Sequence, residues 1–138
     1  MKIAFGYDGS ASANNALNIL PRYAKEMNAN IYIVTSIVPQ EALPTQKETI
    51  STADMVKEAE DKLASVKKSL EAQGISCETH LLVRGMDAGE DIVKIAKELA
   101  ADFILVGVGK TSRVGKMFFG STAQYVILNA HCPVISVK

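Results

Sequence analysis

Short apolar runs alternate with segments of helical periodicity along the chain, and this alternation constrains the fold more than any other feature. Apolar residues are almost continuous over residues 3–7, 31–38, 77–83, 103–106 and 134–137. Between these runs they recur every three or four positions, as at Ala13, Ala16, Leu20 and Ala24. The runs are typical of buried strands and the spaced residues of amphipathic helices. The sequence therefore predicts five strands with helices between them.

Strands that alternate with helices form a parallel sheet, because each helical crossover is right-handed and must pack back onto the sheet. We therefore expect one domain over residues 1–138, of the α/β class. It contains a five-stranded parallel sheet in the order 3-2-1-4-5, with helices on both faces. A crevice opens in such a sheet where the winding reverses, between the carboxyl ends of strands 1 and 4.

Local signals add detail to this scheme. Pro21 lies inside the first helix and predicts a bend there, because proline has no amide to donate. Asp87 and Glu90 have the spacing of a capping box at the start of the third helix. The polar stretch 39–50 indicates a crossover or a lid, and the alternating run 77–83 indicates a strand near the sheet edge.

Residues 107–119 are predicted to form a glycine-containing loop that ends at the last helix. Gly107 and Gly109 would let backbone amides approach an anion closely. Gly120 precedes Ser121, and Ser121 with Gln124 has the pattern of a capping box that points the helix N-terminus at the crevice. The alternative is that Ser121 only caps the helix and Gly120 only makes a turn.

Three cations, Lys110, Arg113 and Lys116, lie in this loop, and no acidic residue occurs from 107 to 130. Together they suit a polyphosphate. Each one alone is equally typical of a solvated surface charge.

Two familiar phosphate motifs are excluded by their spacing. A Walker A loop ending at Gly109 and Lys110 needs a first glycine where Ile104 stands, and Gly115-Lys116 is followed by methionine. A dinucleotide fingerprint beginning at Gly107 needs a third glycine where Ser112 stands. The motif also belongs after strand 1, whereas Gly107 follows strand 4.

Asp8 follows strand 1 and so faces the same crevice. Its carboxylate could accept hydrogen bonds from ribose hydroxyls or from an adenine amino group. It could equally be the first residue of an Asp-Gly turn ahead of Ser10, a candidate helix cap.

Composition excludes several other classes. The 15 basic and 15 acidic residues leave no field to attract nucleic acid or an anionic membrane. The apolar runs are shorter than the ~20 residues of a membrane helix, and the first residues lack a signal-peptide core. Cys77 and Cys132 fit no metal or disulfide spacing. We expect a cytoplasmic, reduced protein without nucleic-acid or membrane partners.

No catalytic constellation is visible. His80 and His131 have no triad partners nearby in sequence, and we interpret both as structural. The charged residues between 90 and 98 have the spacing of a solvated helix face, to which we assign no chemistry.

The sequence resembles the universal stress protein family over essentially its whole length. The resemblance is carried by IAFGYDGSASA, by IYIVTSIVP, by RGMDAGEDIVKIAKELAADFILVG, by the glycine loop and by GSTAQYVILNAHCPVISVK. It implies a five-stranded, adenine nucleotide alpha hydrolase-like fold that commonly dimerises through its last strands. Many members bind ATP or AMP with a loop of pattern G-x2-G-x9-G-[ST].

This chain departs from that pattern at one position. Its loop reads G-x-G-x10-G-S, so the middle glycine is Gly109 and Lys110 occupies the expected place. A conformation open only to glycine would be strained at Lys110.

The resemblance also implies roles for individual residues. Gly6, Tyr7 and Asp8 would border the base and ribose, with Ser36 and Val106 beside the adenine. Gly107 would lie near the ribose, and the phosphates would be bound by Gly109, Gly120, Ser121 and Thr122. Lys110, Arg113 and Lys116 complete the candidate site, and Mg²⁺ would accompany ATP.

The leading hypothesis is therefore an adenine-nucleotide-binding stress protein, a homodimer acting in stress response or nucleotide-dependent signalling. The first alternative is a scaffold or interaction module of the same fold that does not bind nucleotide. The second is an enzyme such as a slow ATPase, for which the sequence offers no evident general base and no metal ligand of the Walker type.

Overall fold

The computed structural model describes residues 1–39, 51–83, 87–113 and 116–138, with the backbone alone for 110–113 and 116–119. Seven strands and four helices follow one another in this part of the chain. In chain order they are β1 (Lys2–Gly6), α1 (Ala11–Glu26), β2 (Asn30–Ile37), α2 (Thr52–Ala72), β3 (Cys77–Val83), α3 (Ala88–Glu98), β4 (Phe103–Gly107), β5 (Lys110–Arg113), β6 (Lys116–Phe119), α4 (Ser121–Asn129) and β7 (Val134–Val137). The predicted lid, 39–50, lies outside the described residues apart from Pro39.

The main sheet has five parallel strands in the order β3-β2-β1-β4-β7. Counted along the chain without the short β5 and β6, this is the predicted order 3-2-1-4-5, which is confirmed. β3 lies at one edge, as its alternating sequence predicts, and β7 lies at the other.

Successive residues of the strands face opposite layers of helices. Ile3 and Phe5 of β1 pack in a core with α1 and α2, whereas Ala4 between them packs with α3 and α4. The first layer contributes Leu20 from α1 and Leu63 from α2. Because both faces of the sheet are covered, its central strands are apolar at most positions, which explains the nearly continuous apolar runs in the sequence.

Three of the helices begin with a side-chain cap. Ser10 and Ser51 accept hydrogen bonds from the amides of Ala13 and Asp54, at the starts of α1 and α2. Asp87 is the N-cap of α3, as expected. Its carboxylate accepts from the amide of Gly89, and the capping-box bond of the Glu90 side chain stays a prediction. Helix α1 runs unbroken across Pro21, and the bend at that residue stays a prediction.

The predicted loop over 107–119 is corrected by the structure. β5 and β6 pair as an antiparallel hairpin, with Lys110 opposite Phe119 and Arg113 opposite Lys116. Two residues, the second of them a glycine, separate the strands in sequence, which is a spacing that favours hairpins. The glycines and lysines of this segment led to the prediction of a loop. That prediction gave too little weight to Thr111, Phe118 and Phe119, whose residue types favour strands.

The end of β4 lies against the first turn of α1 with no room for a side chain. A Cβ built on Gly107 would be 2.5 Å from the amide nitrogen of Ala13 and 2.7 Å from the carbonyl oxygen of Ser12. These are backbone atoms, which cannot turn away as a side chain can. A glycine at 107 is therefore a condition for bringing α1 onto the sheet.

We expect Gly107→Ala to lower the free energy of unfolding by about 1–3 kcal/mol, because the new methyl group would force β4 and α1 apart. Gly109→Ala is the matched control, since the nearest atom of the described residues to its Cβ is the Ser12 hydroxyl oxygen at 4.0 Å. The control should stay within about 0.5 kcal/mol of the wild type. Urea denaturation followed by circular dichroism measures both, and equal stabilities would contradict the packing argument.

Candidate functional site

The carboxyl ends of β1 and β4 lie side by side, with Gly6 paired to Val106, and the crevice opens above them. A cavity of about 70 Å³ lies at this point, between the first turns of α1, α3 and α4. The residues from the predicted site that line it are Gly6, Tyr7, Asp8, Ser36, Val106, Gly107 and Thr122. The topology thus brings together residues that are more than a hundred positions apart in sequence.

A second, wider cavity of about 270 Å³ continues from the first toward α2. Tyr7, Asp8 and Ser36 line both cavities. The far wall is formed by α2, where Lys62 pairs with Glu58 at 3.3 Å. The crevice is therefore a trough that runs from the tip of β2 across β1 to β4 and α4.

Tyr7 is held rigidly at the centre of this trough. Its amide donates to the carbonyl of Val34 at 2.9 Å, and its own carbonyl accepts from the hydroxyl of Thr35 at 2.6 Å. The phenol donates to the side chain of Asn14 at 2.9 Å. The backbone that carries Asp8 into the crevice is thus fixed by β2 and α1 together.

Both interpretations of Asp8 are compatible with its geometry. Oδ1 accepts from the amide of Ser10 at 2.9 Å, which is the turn that the sequence allowed as an alternative. The side chain is exposed, and Oδ2 accepts no hydrogen bond from the described residues. One oxygen therefore shapes the turn while the other remains free to accept a hydrogen bond in the crevice.

The N-terminus of α4 differs from those of the other three helices. Gly120 is its N-cap, and no side chain caps the helix. The first intrahelical bond joins the amide of Gln124 to the carbonyl of Gly120 at 3.1 Å. The amides of Ser121, Thr122 and Ala123 thus have no acceptor within the helix, and the positive end of the helix dipole lies beside them.

The capping box predicted for Ser121 and Gln124 is wrong. A cap residue must have an extended backbone outside the helix, and Gly120 takes that place with φ −57° and ψ 152°. Ser121 is instead the first residue inside α4, so its hydroxyl is not used to cap the helix.

The surroundings of Gly107 differ from those of Gly109 and Gly120. Gly107 is required by the packing of α1, as described above. At Gly120 a Cβ would meet nothing among the described residues within 4 Å, and the backbone has an ordinary negative φ. Gly109 is almost as open. Nothing in the described structure requires glycine at 109 or 120, whereas a ligand lying directly on the backbone would.

The three predicted cations lie on the hairpin that joins the crevice to α4. Lys110 begins β5, Arg113 ends it and Lys116 begins β6. Their side chains lie outside the described part of the structure. Lys110 is paired in the strand, so its backbone is extended and does not need the conformation reserved for glycine.

Sequence reasoning missed Asp91, which it placed on a solvated helix face. The structure buries this residue completely, with 0% of its surface exposed, and the hydroxyl of Ser36 donates to its Oδ2 at 2.7 Å. Its Oδ1 is also buried and has no hydrogen-bond partner among the described residues. A signal was present, because Asp91 lies one turn before Ile95 on the apolar stripe of α3.

The histidines and cysteines lie away from the trough. The His131 ring nitrogen Nε2 is 3.1 Å from the carbonyl of Ala101, and the His80 ring lies against Tyr32. Both cysteines are free, and burial raises the pKa of each thiol. The described residues contain no group of three or more His, Cys, Asp or Glu that could hold a metal ion.

None of the helices described by the structure has both the length and the apolar character needed to cross a membrane.

Comparisons with known proteins agree on one family. A sequence model of the Universal stress protein family matches residues 1–138. A universal stress protein of Methanocaldococcus jannaschii is 35% identical over 144 residues, covering 99% of this chain and 81% of the relative. A solved universal stress protein from Archaeoglobus fulgidus superposes with a TM-score of 0.81 at 33% identity, covering 100% of this chain and 98% of that one.

A further solved structure, the universal stress protein from Archaeoglobus fulgidus in complex with dAMP, has a TM-score of 0.74 at 30% identity. It covers 100% of this chain and 98% of that chain. With a family match along the full length and a relative that is 35% identical, the chain belongs to the universal stress protein family.

Proposed function

We propose that this protein binds an adenine nucleotide, ATP or AMP, in the trough at the carboxyl ends of β1, β2 and β4. The observation that carries the proposal is the N-terminus of α4. No side chain of the described residues caps its first amides, and none of those residues comes within 4 Å of a Cβ built on Gly120. A phosphate group supplies the negative charge and the acceptors that such a helix end lacks.

The rest of the trough suits a nucleoside. Gly6, Val106 and Ile92 give apolar walls to the small cavity, and Asp8 offers a free carboxylate oxygen for ribose hydroxyls. Lys110 and Lys116 belong to the hairpin that precedes α4 in the chain, and in this proposal their positive charges attract the phosphates. The relative in complex with dAMP supports an adenine nucleotide in particular.

In this proposal the protein responds to nucleotide in a stress or signalling role and does so as a homodimer. Mg²⁺ would arrive with ATP as the counter-ion of its phosphates, and we assign it no ligand from the chain. The competing function is a scaffold that carries no nucleotide, and the displacement of the middle glycine to Gly109 is the feature that favours it.

The first test uses the protein as it comes from cells. We expect purified protein, denatured without added nucleotide, to release ATP or AMP in near-stoichiometric amount on a calibrated anion-exchange column. Protein that is empty, and whose melting temperature does not rise with millimolar ATP or AMP, would favour the scaffold.

Ser121→Asp tests the phosphate end of the trough. An acidic residue in the first turn stabilises a helix, so folding should be preserved, while the new charge repels phosphate. We expect nucleotide affinity to fall at least tenfold in isothermal titration calorimetry. Gly120→Val should also weaken binding, because its side chain would fill the open approach.

Asn28→Asp is the control for Ser121→Asp. It adds the same charge at an exposed position between α1 and β2, at the opposite end of the strands. Its affinity should match the wild type. Full affinity in Ser121→Asp and Gly120→Val would mean that the nucleotide lies elsewhere.

Dimerisation is proposed through β7. This strand pairs with β4 on one side and with no described strand on the other, and proteins usually cover such an edge. Static light scattering should give a mass of twice 14.8 kDa at micromolar concentration. A mass of one chain across the concentration range would remove this part of the proposal.

A further inference from the structure

Two exposed apolar side chains lie next to each other in α4. Leu128 is 80% exposed and Ile127 is 45% exposed. The other large apolar side chains that are exposed in the described part of the chain are Met1 and Val83. Neighbouring exposed apolar residues on one helix indicate a surface that another molecule covers.

The opposite flank of α4 packs against α3. A Cβ built on Gly89 of α3 would be 2.8 Å from the Cβ of Tyr125 and 3.1 Å from the carbonyl oxygen of Thr122. Successive residues of a helix are about 100° apart, so Ile127 lies roughly 200° around α4 from Tyr125. Since α3 packs over β1 and β2 while α4 contacts β7, Ile127 faces outward past the β7 edge of the sheet.

A second copy of this chain fits that flank. Antiparallel pairing of β7 with its own copy has a two-fold axis perpendicular to the sheet. This axis keeps the two α4 helices on the same face of the joined sheet and brings their Ile127 flanks together. No residue from Ser121 to Asn129 carries a charge, so the two helices meet without electrostatic repulsion.

The same helix forms the phosphate end of the proposed nucleotide site. α4 has nine residues, its buried residues are Ala123 and Val126, and no side chain of the described residues caps its N-terminus. Helices this short are not stable alone in water, so α4 depends on the groups that pack against it. A phosphate at its first amides and a second copy at its outer flank would each stabilise its helical state.

We infer that α4 couples nucleotide binding to dimerisation, because each event stabilises the helix that the other one uses. The coupling is reciprocal, so the dimer binds nucleotide more tightly than the monomer does. With one nucleotide per subunit, the dimer dissociation constant changes by the square of the change in affinity at each site. This inference rests on the proposed function, because it connects its nucleotide site with its dimer.

The interface is tested by analytical ultracentrifugation of the full chain. Ile127→Lys brings two positive charges together near the two-fold axis and should raise the dimer dissociation constant at least about tenfold. Leu128→Lys should also weaken the dimer, and it decides the question if Ile127→Lys does not fold. Val83→Lys makes the same change at the opposite edge of the sheet and should dimerise like the wild type.

The coupling is tested by adding AMP. Saturating AMP should lower the wild-type dimer dissociation constant at least about tenfold. In calorimetry, monomeric Ile127→Lys should bind AMP at least about threefold more weakly than the wild-type dimer does. An added positive charge alone would strengthen the binding of an anion, so weaker binding reports the loss of the second copy.

Each part can fail separately. A wild type that is monomeric at every concentration, or lysine variants that dimerise as tightly as the wild type, overturns the interface and the coupling. If AMP binds and the dimer constant is the same with and without it, the coupling is overturned and nucleotide binding stands. Absence of AMP binding overturns the proposed nucleotide site together with the coupling.

Discussion

The double pairing of β1, with β2 on one side and β4 on the other, is the constraint on which the rest of the structure depends. Because β1 is the central strand, the chain must leave its carboxyl end toward one layer of helices and leave β4 toward the other. The trough is the gap between those two departures. The backbone of Tyr7 is anchored to β2, and Gly107 allows α1 to close onto β4. The order of the strands therefore determines where the candidate site lies, whichever side chains line it.

The sheet order followed from the sequence because it depends on periodicity, which is a local and repeated signal. The alternation of buried strands with amphipathic helices leaves few right-handed arrangements to consider. The side-chain capping of α4 did not follow, since Ser121 and Gly120 both fit a cap and only the backbone conformation distinguishes them. The hairpin was missed because glycine and lysine outweighed the short strand-forming runs of β5 and β6.

Asp91 shows a different limit of sequence reasoning. Acidic residues are rarely buried without a partner, so a charged helix position is assigned to solvent by default. The partner that permits burial is Ser36, 55 residues away, and it reaches Asp91 only after β2 and α3 have packed. The apolar periodicity of α3 could have flagged the position, but not the serine. The main-sheet strands and their order could be predicted from the single sequence. Contacts between residues that meet only in the assembled fold, such as that of Ser36 with Asp91, could not.

The lack of a side-chain cap on α4 also affects the stability of the protein without a bound ligand. A serine or aspartate at an N-cap commonly contributes about 0.5–2 kcal/mol, and α1, α2 and α3 each have such a residue. Of the three helix N-termini that border the small cavity of the trough, only that of α4 lacks this contribution from a side chain of the described residues. An anion bound there would restore it, so the free energy of unfolding would rise with the logarithm of ligand concentration once that exceeds the dissociation constant. The lifetime of the protein against proteolysis would then follow the level of its ligand, without any change in shape.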